Sequence, residues 1–255
     1  MNKTIPIVIP YFRAPEELKK CKEAIEAQSY KPTEIFVHDN SEDNILFTAA
    51  VNKGIERYAY DPSIEFILVL NQDAYLSQNT LIHLLNTMSA NPQCGIACPL
   101  QIDAKNGGIY WGGSLDAFPF GKHLSQPIES YKSDFETFWA NGAAMLLRTK
   151  MIKEIGLLDK NMRFICSDSD YSFTARSRGW KVITSVNAIV YHSSGQSGSA
   201  GNAFINQVKI EDAIYFTKKW LTGDVYKSLA YEGQNLTKLK INGYLQSLES
   251  QLKKS

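Results

Sequence analysis

Asp73, Asp168, Asp170 and His192 are the side chains whose type and setting suit chemistry. Asp73 closes Asn71-Gln-Asp73, directly after an apolar run. A carboxylate beside an amide oxygen can hold a hard divalent cation, and Asn71 can equally hold a sugar hydroxyl. A lone carboxylate at that place is also an ordinary turn residue. Asp168 and Asp170 open a helical pattern that runs to Arg178. They either cap that helix and favour its dipole, or one of them takes a proton from a hydroxyl. Arg176 and Arg178 follow as salt-bridge partners for such carboxylates. His192 ends the apolar run Ala188-Ile-Val-Tyr191, ahead of a Ser/Gly stretch, a setting that suits metal or phosphate.

These residues need strands to deliver them. Strand-like runs cover Ile5–Pro10, Glu34–His38 and Glu65–Leu70, and each ends in a polar triplet: Tyr11-Phe-Arg13, Asp39-Asn-Ser41 and Asn71-Gln-Asp73. Helical spacing fills the intervals at Glu16–Ser29, Phe47–Tyr58 and Thr80–Ala90, with Asn79 expected as a cap. Alternating strands and helices predict an α/β fold with a parallel sheet, whose ligands sit at the carboxyl ends of strands. Residues 107–113 read as strand and turn, residues 112–137 as a loop beside a site, and Thr149 to Ile155 as a helix. Lys181 to Val190 reads as two short strands and Ser193 to Gly201 as a mobile stretch. From about Asn206 the chain is helical again, with Leu245, Leu248 and Leu252 on one stripe.

Composition removes other classes. The 255 residues carry 27 Lys+Arg against 26 Asp+Glu, so no basic surplus marks a nucleic-acid partner. No apolar run reaches the roughly 18 residues of a membrane span, and no signal peptide is legible, so the expected location is the cytoplasm. Cys94 and Cys98 have no second pair or nearby His to complete a zinc set, so the four cysteines are expected to be reduced thiols. Dinucleotide, P-loop and hydrolase-elbow motifs are missing, and His38, His83 and His123 show no ligand spacing.

The order of the pieces is more specific than any piece. Ile7-Val-Ile-Pro-Tyr11, Glu34-Ile-Phe-Val-His-Asp-Asn-Ser41, Asn52-Lys-Gly-Ile55 and Leu68-Val-Leu-Asn-Gln-Asp-Ala74 come first. Asn141-Gly-Ala-Ala-Met-Leu-Leu147, Ile155-Gly-Leu-Leu-Asp159, Asp168-Ser-Asp-Tyr171, Arg178-Gly-Trp180 and Val190-Tyr-His192 come after them. In this order the chain resembles the family-2 glycosyltransferases of the GT-A fold over about residues 4–200, closest to bacterial members that build surface polysaccharide or decorate glycoproteins, rhamnosyltransferase-like ones included. Tyr215-Phe-Thr-Lys-Lys-Trp220 also fits. The resemblance implies a GT-A domain over 1–205, with a nucleotide-binding half (1–100) and an acceptor-binding half (101–205). A mostly parallel mixed sheet is flanked by helices, and 206–255 forms a C-terminal helical extension.

It further implies inverting transfer from a UDP- or dTDP-sugar to a hydroxyl of a glycan, lipid-linked or glycoprotein acceptor, with Mn²⁺ or Mg²⁺. Carried over by position, Asp168 is the base, Asp73 and His192 hold the metal, and Asp39 contacts the nucleotide base with Pro10 and Tyr11 lining its pocket. Arg13, Asn40, Ser41, Asn52, Asn71 and Gln72 complete the nucleotide-sugar set, while Trp139, Asn141 and Asp170 face the acceptor. Two positions depart from the family pattern. Asn71 stands where the metal motif has its first carboxylate, and Ser167 where the acidic pair has its first. They motivate a second reading, a non-catalytic nucleotide-sugar-binding scaffold; a third, a nucleotidyltransferase, would need a glycine- and basic-rich loop where Tyr11-Phe-Arg-Ala-Pro15 stands. The C-terminal stripe suits docking on the domain, a homo-oligomer contact, or peripheral contact with the inner membrane face.

Overall fold

The computed structural model describes residues 4–31, 33–115, 119, 121–193, 202–222 and 238–253. Its strands are β1 (Ile5–Tyr11), β2 (Thr33–Asp39), β3 (Phe66–Leu70), β4 (Ala74–Leu76), β5 (Cys94–Asp103), β6 (Ile109–Trp111), β7 (Ser114–Leu115), β8 (Lys122–His123), β9 (Phe135–Glu136), β10 (Ala144–Arg148) and β11 (Lys181–His192). Its helices are α1 (Pro15–Glu26), α2 (Leu46–Tyr58), α3 (Thr80–Ala90), α4 (Thr149–Ile155), α5 (Ser167–Ser177), α6 (Ala203–Phe216) and α7 (Lys238–Leu252).

The strand period of two divides the apolar residues between two faces. Ile7 and Ile9 of β1, Leu68 and Leu70 of β3 and Leu146 of β10 pack beneath α1 and α3, against Cys21, Ile25, Leu81, Leu84 and Met88. Val8, Ile67, Val69, Met145 and Leu147 point the other way, against α2, α4 and α5 through Val51, Ile55, Met151, Ile152 and Phe173. Most of these side chains are fully buried, each worth about 1.5–3 kcal/mol against exposure. Close approach of α2 to the sheet depends on Gly54, where a Cβ would lie 2.3 Å from Val8 Cγ1.

The sheet order is β2-β1-β3-β10-β5-β11-β4, with β6 on β5 and β9 on β11. β2, β1 and β3 are mutually parallel, as are β5 and β11, whereas β10 and β4 run antiparallel to their neighbours. The expected α/β architecture is thus present as a mixed, mostly parallel sheet flanked by helices, with a C-terminal helix.

Three local features differ from what the sequence pattern conveys. Residues 181–192 form one strand, not two, because a register irregularity between Ser185 and Ile189 absorbs the break while pairing with β5 continues. Ala74–Leu76, which carries no strand pattern of its own, becomes a strand by pairing with the end of β11. Asn79 stands at the start of α3 but makes no side-chain cap bond; Ser29 Oγ donates to its Oδ1 at 2.6 Å. Most of the expected mobile stretch, 194–201, lies outside the described residues.

At the C-terminal end α6 is followed by a π-helical turn, Thr217–Leu221. Leu248 and Ile241 of α7 are buried and Leu245 packs against the same core, so the leucine stripe docks on the domain. No helix among the described residues is long and apolar enough to cross a membrane. The four cysteines are free, and burial pushes the thiols of Cys21 and Cys94 up to about 12.

Candidate active site

The carboxyl ends of β1, β2 and β3 meet at a cavity of about 100 Å³ lined by Pro10, Phe12, Asn40, Asn44, Leu46, Phe47, Asn71, Gln72, Asp73, Phe164, Asn202 and Ile205. A larger one of about 450 Å³ adjoins it, lined by Tyr110, His123, Trp139, Asn141, Gly142, Cys166, Asp168 and Ser169 among others. Phe47, Asn71 and Phe164 line both cavities and so form their common boundary.

Asp73 enters the smaller cavity from the turn between β3 and β4. Antiparallel pairing sets Ala74 opposite His192, and Ser193 N donates to Asp73 O at 3.0 Å. This zipper brings His192 Nε2 within 3.4 Å of Asp73 Oδ1. Asp73 is 2% exposed, and its Oδ2, His192 Nδ1 and Asn71 Oδ1 are buried without a hydrogen-bond partner among the described residues. Buried polar atoms without partners are costly, and open oxygen and nitrogen atoms of this kind retain capacity to ligate a cation. Among the described residues no three His, Cys, Asp or Glu side chains converge as a ready metal cage. One carboxylate, one imidazole and one amide oxygen fit a cation that takes its remaining ligands from a phosphate-bearing substrate.

The other nucleotide-side residues separate. In a parallel pair Tyr11 stands opposite Asp39, so both face α1 and line a shallow groove with Leu18, Lys19 and Lys22, whereas Pro10 and Asn40 line the enclosed cavity. Asp39 is exposed, and the Ser41 hydrogen bonds hold its carboxyl below the usual carboxylate range. Arg13 donates to Ser41 O through Nε (3.0 Å) and Nη2 (2.8 Å), locking the turn.

Two expected site residues are engaged with backbone groups, and of the two Gln72 still lines the smaller cavity. Gln72 Oε1 accepts from Phe12 N at 2.6 Å and its Nε2 donates to Phe12 O at 3.1 Å, so its amide clamps the ends of β1 and β3. Asn52 forms the same reciprocal pair with Leu158 at 2.9 and 3.0 Å and lines neither cavity.

Asp168 lies in the first turn of α5, half-buried, where its Oδ2 accepts from Gly142 N and its Oδ1 from Ser169 N, both at 2.8 Å. Gly142 permits this approach: a Cβ there would lie 3.3 Å from Asp168 Oδ2 and 3.2 Å from Phe47. Burial raises the Asp168 carboxyl above its ordinary value, against the pull of the two N–H groups. A carboxylate so placed is a competent proton acceptor. Asp170, two residues on, turns away. It is 1% exposed, accepts Trp220 Nε1–H at 2.6 Å and pairs with Lys219 Nζ at 2.7 Å, so it anchors the C-terminal turn instead of facing an acceptor. Arg176, expected to pair with these carboxylates, donates to Phe138 O.

Sequence reasoning passed over His123. It lines the larger cavity, where burial lowers its pKa and the charge of Asp168 opposes that shift. Its ring packs at 5.5 Å from Trp139 and 5.7 Å from Tyr110, and Tyr110 lies 5.5 Å from His192, so one aromatic row joins the two cavities. Nothing in the spacing of His123 pointed there. The described non-glycine residues with positive φ (Arg13, Asn44, Leu46 and Cys166) all flank this site, and backbone strain of this kind costs about 1–3 kcal/mol each.

Among curated proteins no match to the chain is found. Solved structures of similar fold include GalNAc-T7 with UDP, GalNAc and Mn²⁺ (14% identity, TM-score 0.61) and residues 1–349 of S. aureus TarS with UDP (12% identity, TM-score 0.58). Each match covers 96% of this chain, which spans 54% of the GalNAc-T7 chain and 70% of the TarS chain. The model of the glycosyltransferase-like family 2 matches residues 47–208, a stretch that holds Asp73, Asp168 and His192, and the chain therefore belongs to that family and carries the GT-A fold of its glycosyltransferases.

Proposed function

We propose that this protein transfers a sugar, with inversion, from a nucleotide-diphospho-sugar to an acceptor hydroxyl. The observation that carries the proposal is the pairing of two unlike cavities across one boundary. Asp73 and His192 stand in or beside the smaller, Asp168 opens into the larger, and Phe47, Asn71 and Phe164 separate them. The UDP and Mn²⁺ in the GalNAc-T7 structure, and the UDP in the TarS structure, support a nucleotide donor and a cation here too.

On this reading the donor's diphosphate lies in the smaller cavity beside Asn40 and Asn71. Asp73 and His192, with Asn71, would hold Mn²⁺ or Mg²⁺. The cation, when bound, offsets charge that builds on the leaving diphosphate. The anomeric carbon sits at the Phe47–Phe164 boundary. The acceptor enters the larger cavity along Tyr110, His123, Trp139 and Asn141. Its oxygen attacks from the side opposite the diphosphate, the glycosidic bond to phosphate breaks, and the hydroxyl proton passes to Asp168. The attack and departure lie on opposite faces, so the configuration inverts and no enzyme nucleophile is needed. The acceptor is a glycan, a lipid-linked sugar or a glycoprotein, and the reaction belongs to the cytoplasmic side of the membrane.

A scaffold that binds donor without turnover is the second reading, favoured by Asn71 and Ser167 standing where the family pattern has carboxylates. The deciding experiment is a panel of UDP- and dTDP-sugars, with and without Mn²⁺, read first by thermal shift and then by nucleotide release. Stabilisation with slow nucleotide release supports the transferase. Stabilisation with no release under any acceptor supports the scaffold, and no stabilisation by any donor refutes both.

A further inference from the structure

Asp212 is a buried carboxylate outside the site described so far. It lies on α6 with no side-chain exposure, and burial raises its pKa above the ordinary value. Its Oδ2 accepts from Phe164 N at 2.7 Å and from Ile165 N at 3.0 Å. Its Oδ1 has no hydrogen-bond partner among the described residues, and Arg163 Nε lies 4.0 Å away as an ion-pair partner. The two N–H groups and the nearby Arg163 guanidinium offset the cost of burying this carboxylate, and an apolar residue in its place would leave Phe164 N–H and Ile165 N–H without that acceptor.

The residues it holds are the ones the chemistry needs. Phe164 is part of the boundary between the cavities, and Ile165 and Cys166 line the larger one. Cys166 then turns at φ 64°, and its carbonyl accepts Asp170 N at 2.8 Å, which starts the helix that carries Asp168. Opposite Asp212, the fully buried Thr48 on α2 holds the preceding carbonyls. Its Oγ1 donates to Met162 O at 2.5 Å and its N to Arg163 O at 3.1 Å. The segment 162–165 is thus gripped from two helices, through its carbonyls by Thr48 and through its N–H groups by Asp212.

We propose that Asp212 is a positioning residue for sugar transfer. It fixes the 162–166 segment, and through it the cavity boundary and the first turn of α5, so that Asp168 meets the acceptor hydroxyl. The role rests on the glycosyltransferase reading above. It also makes α6, whose capping residue Asn202 and whose Ile205 wall the smaller cavity, part of the active-site frame.

The test measures kcat, donor KM and UDP affinity for Asp212→Ala, Asp212→Asn and Thr48→Val, with Asp168→Asn in parallel. Displacing reacting groups by about 1 Å costs on the order of 10²-fold in rate, so Asp212→Ala should lose kcat on that scale with donor KM and UDP affinity within about threefold. Asp212→Asn keeps an oxygen for both N–H groups and should restore kcat to within about fivefold. Thr48→Val, nearly isosteric, should lower kcat by about tenfold, and it decides the matter if the alanine variant does not fold. A normal kcat in Asp212→Ala, or in Thr48→Val where the alanine variant is unfolded, overturns the proposal. So does a fall in Asp212→Asn equal to that in Asp212→Ala, or a rate loss that tracks only the folded fraction. Full transfer by Asp168→Asn would instead break the underlying base assignment.

Discussion

The two cavities are assembled in contrasting ways. The smaller one is built mainly from residues that directly follow β1, β2 and β3, and its polar atoms (Asp73 Oδ2, Asn71 Oδ1, Asn40 Oδ1) are left without partners. The larger one gathers residues from distant stretches (Tyr110, His123, Trp139, Gly142 and Asp168), and its carboxylate is already held by two N–H groups. The first leaves an oxygen of its carboxylate open; the second fixes its carboxylate with two N–H groups, although Trp139 Nε1 there has no partner among the described residues. A region that must grip a charged ligand keeps coordination capacity open, whereas a region that must accept a proton fixes one oxygen acid in place.

The sharpest way to break this contrast is Asp168→Asn. Loss of a general base costs 10²–10⁴-fold, so transfer should fall by about 10³-fold while UDP affinity is unchanged, measured by nucleotide release and calorimetry. Parallel loss of both would mean that the cavities are one functional unit. Asp170→Ala comes next. Removing one partner of a buried ion pair should cost about 3 kcal/mol of stability, toward the low end because Lys219 keeps Asp159 at 2.9 Å. Urea denaturation checks this, and kcat per folded molecule should stay near normal; a large specific kcat loss would return Asp170 to the acceptor side.

Asp73→Ala should weaken UDP binding by roughly 10–100-fold in Mn²⁺ and by much less in chelator. Equal weakening in both would remove the metal role from the smaller cavity. The smallest effect is on pH dependence. Burial holds the carboxyls of Asp168, Asp170 and Asp212 above the ordinary 3.8, so the folded chain keeps protons that the unfolded chain releases. Their contribution to stability is full below that value and declines as pH rises through the raised values. Melting temperature against pH should show the decline, and Asp168→Asn should flatten it. The acid limb of kcat should likewise lie above the ordinary carboxylate range, since Asp168 must be ionised to act.

The same contrast sets how much was legible. Pro10, Asn40, Asn71 and Asp73 could be read because a strand delivers the residues at its carboxyl end to a known edge of a parallel sheet. Face was less legible than edge: Tyr11 and Asp39 share a strand end with Pro10 and Asn40 but point into the groove beside α1. Gln72 and Asn52 have side chains that would suit a ligand, yet both are engaged by backbone groups brought up from far along the chain, and of the two Gln72 still lines a cavity. Asp168 and Asp170 look alike in sequence. Two residues along a helix amount to about 200° of rotation, so one opens to the cavity and the other meets Lys219 and Trp220.

The sequence by itself determined the alternation of strands and helices, the division of apolar residues between two faces, and the family order of Asp73, Asp168 and His192. Local periodicity and motif order carry that information along the chain. Only the tertiary structure decided that His123 stands in the larger cavity, that Ala74–Leu76 becomes a strand bringing Asp73 to His192, and that Asp212 grips the segment ahead of Asp168. Those facts depend on contacts between residues about 13 to 120 positions apart. No local pattern encodes such contacts, because it is burial and the need to satisfy buried N–H groups that select them once the layers have closed.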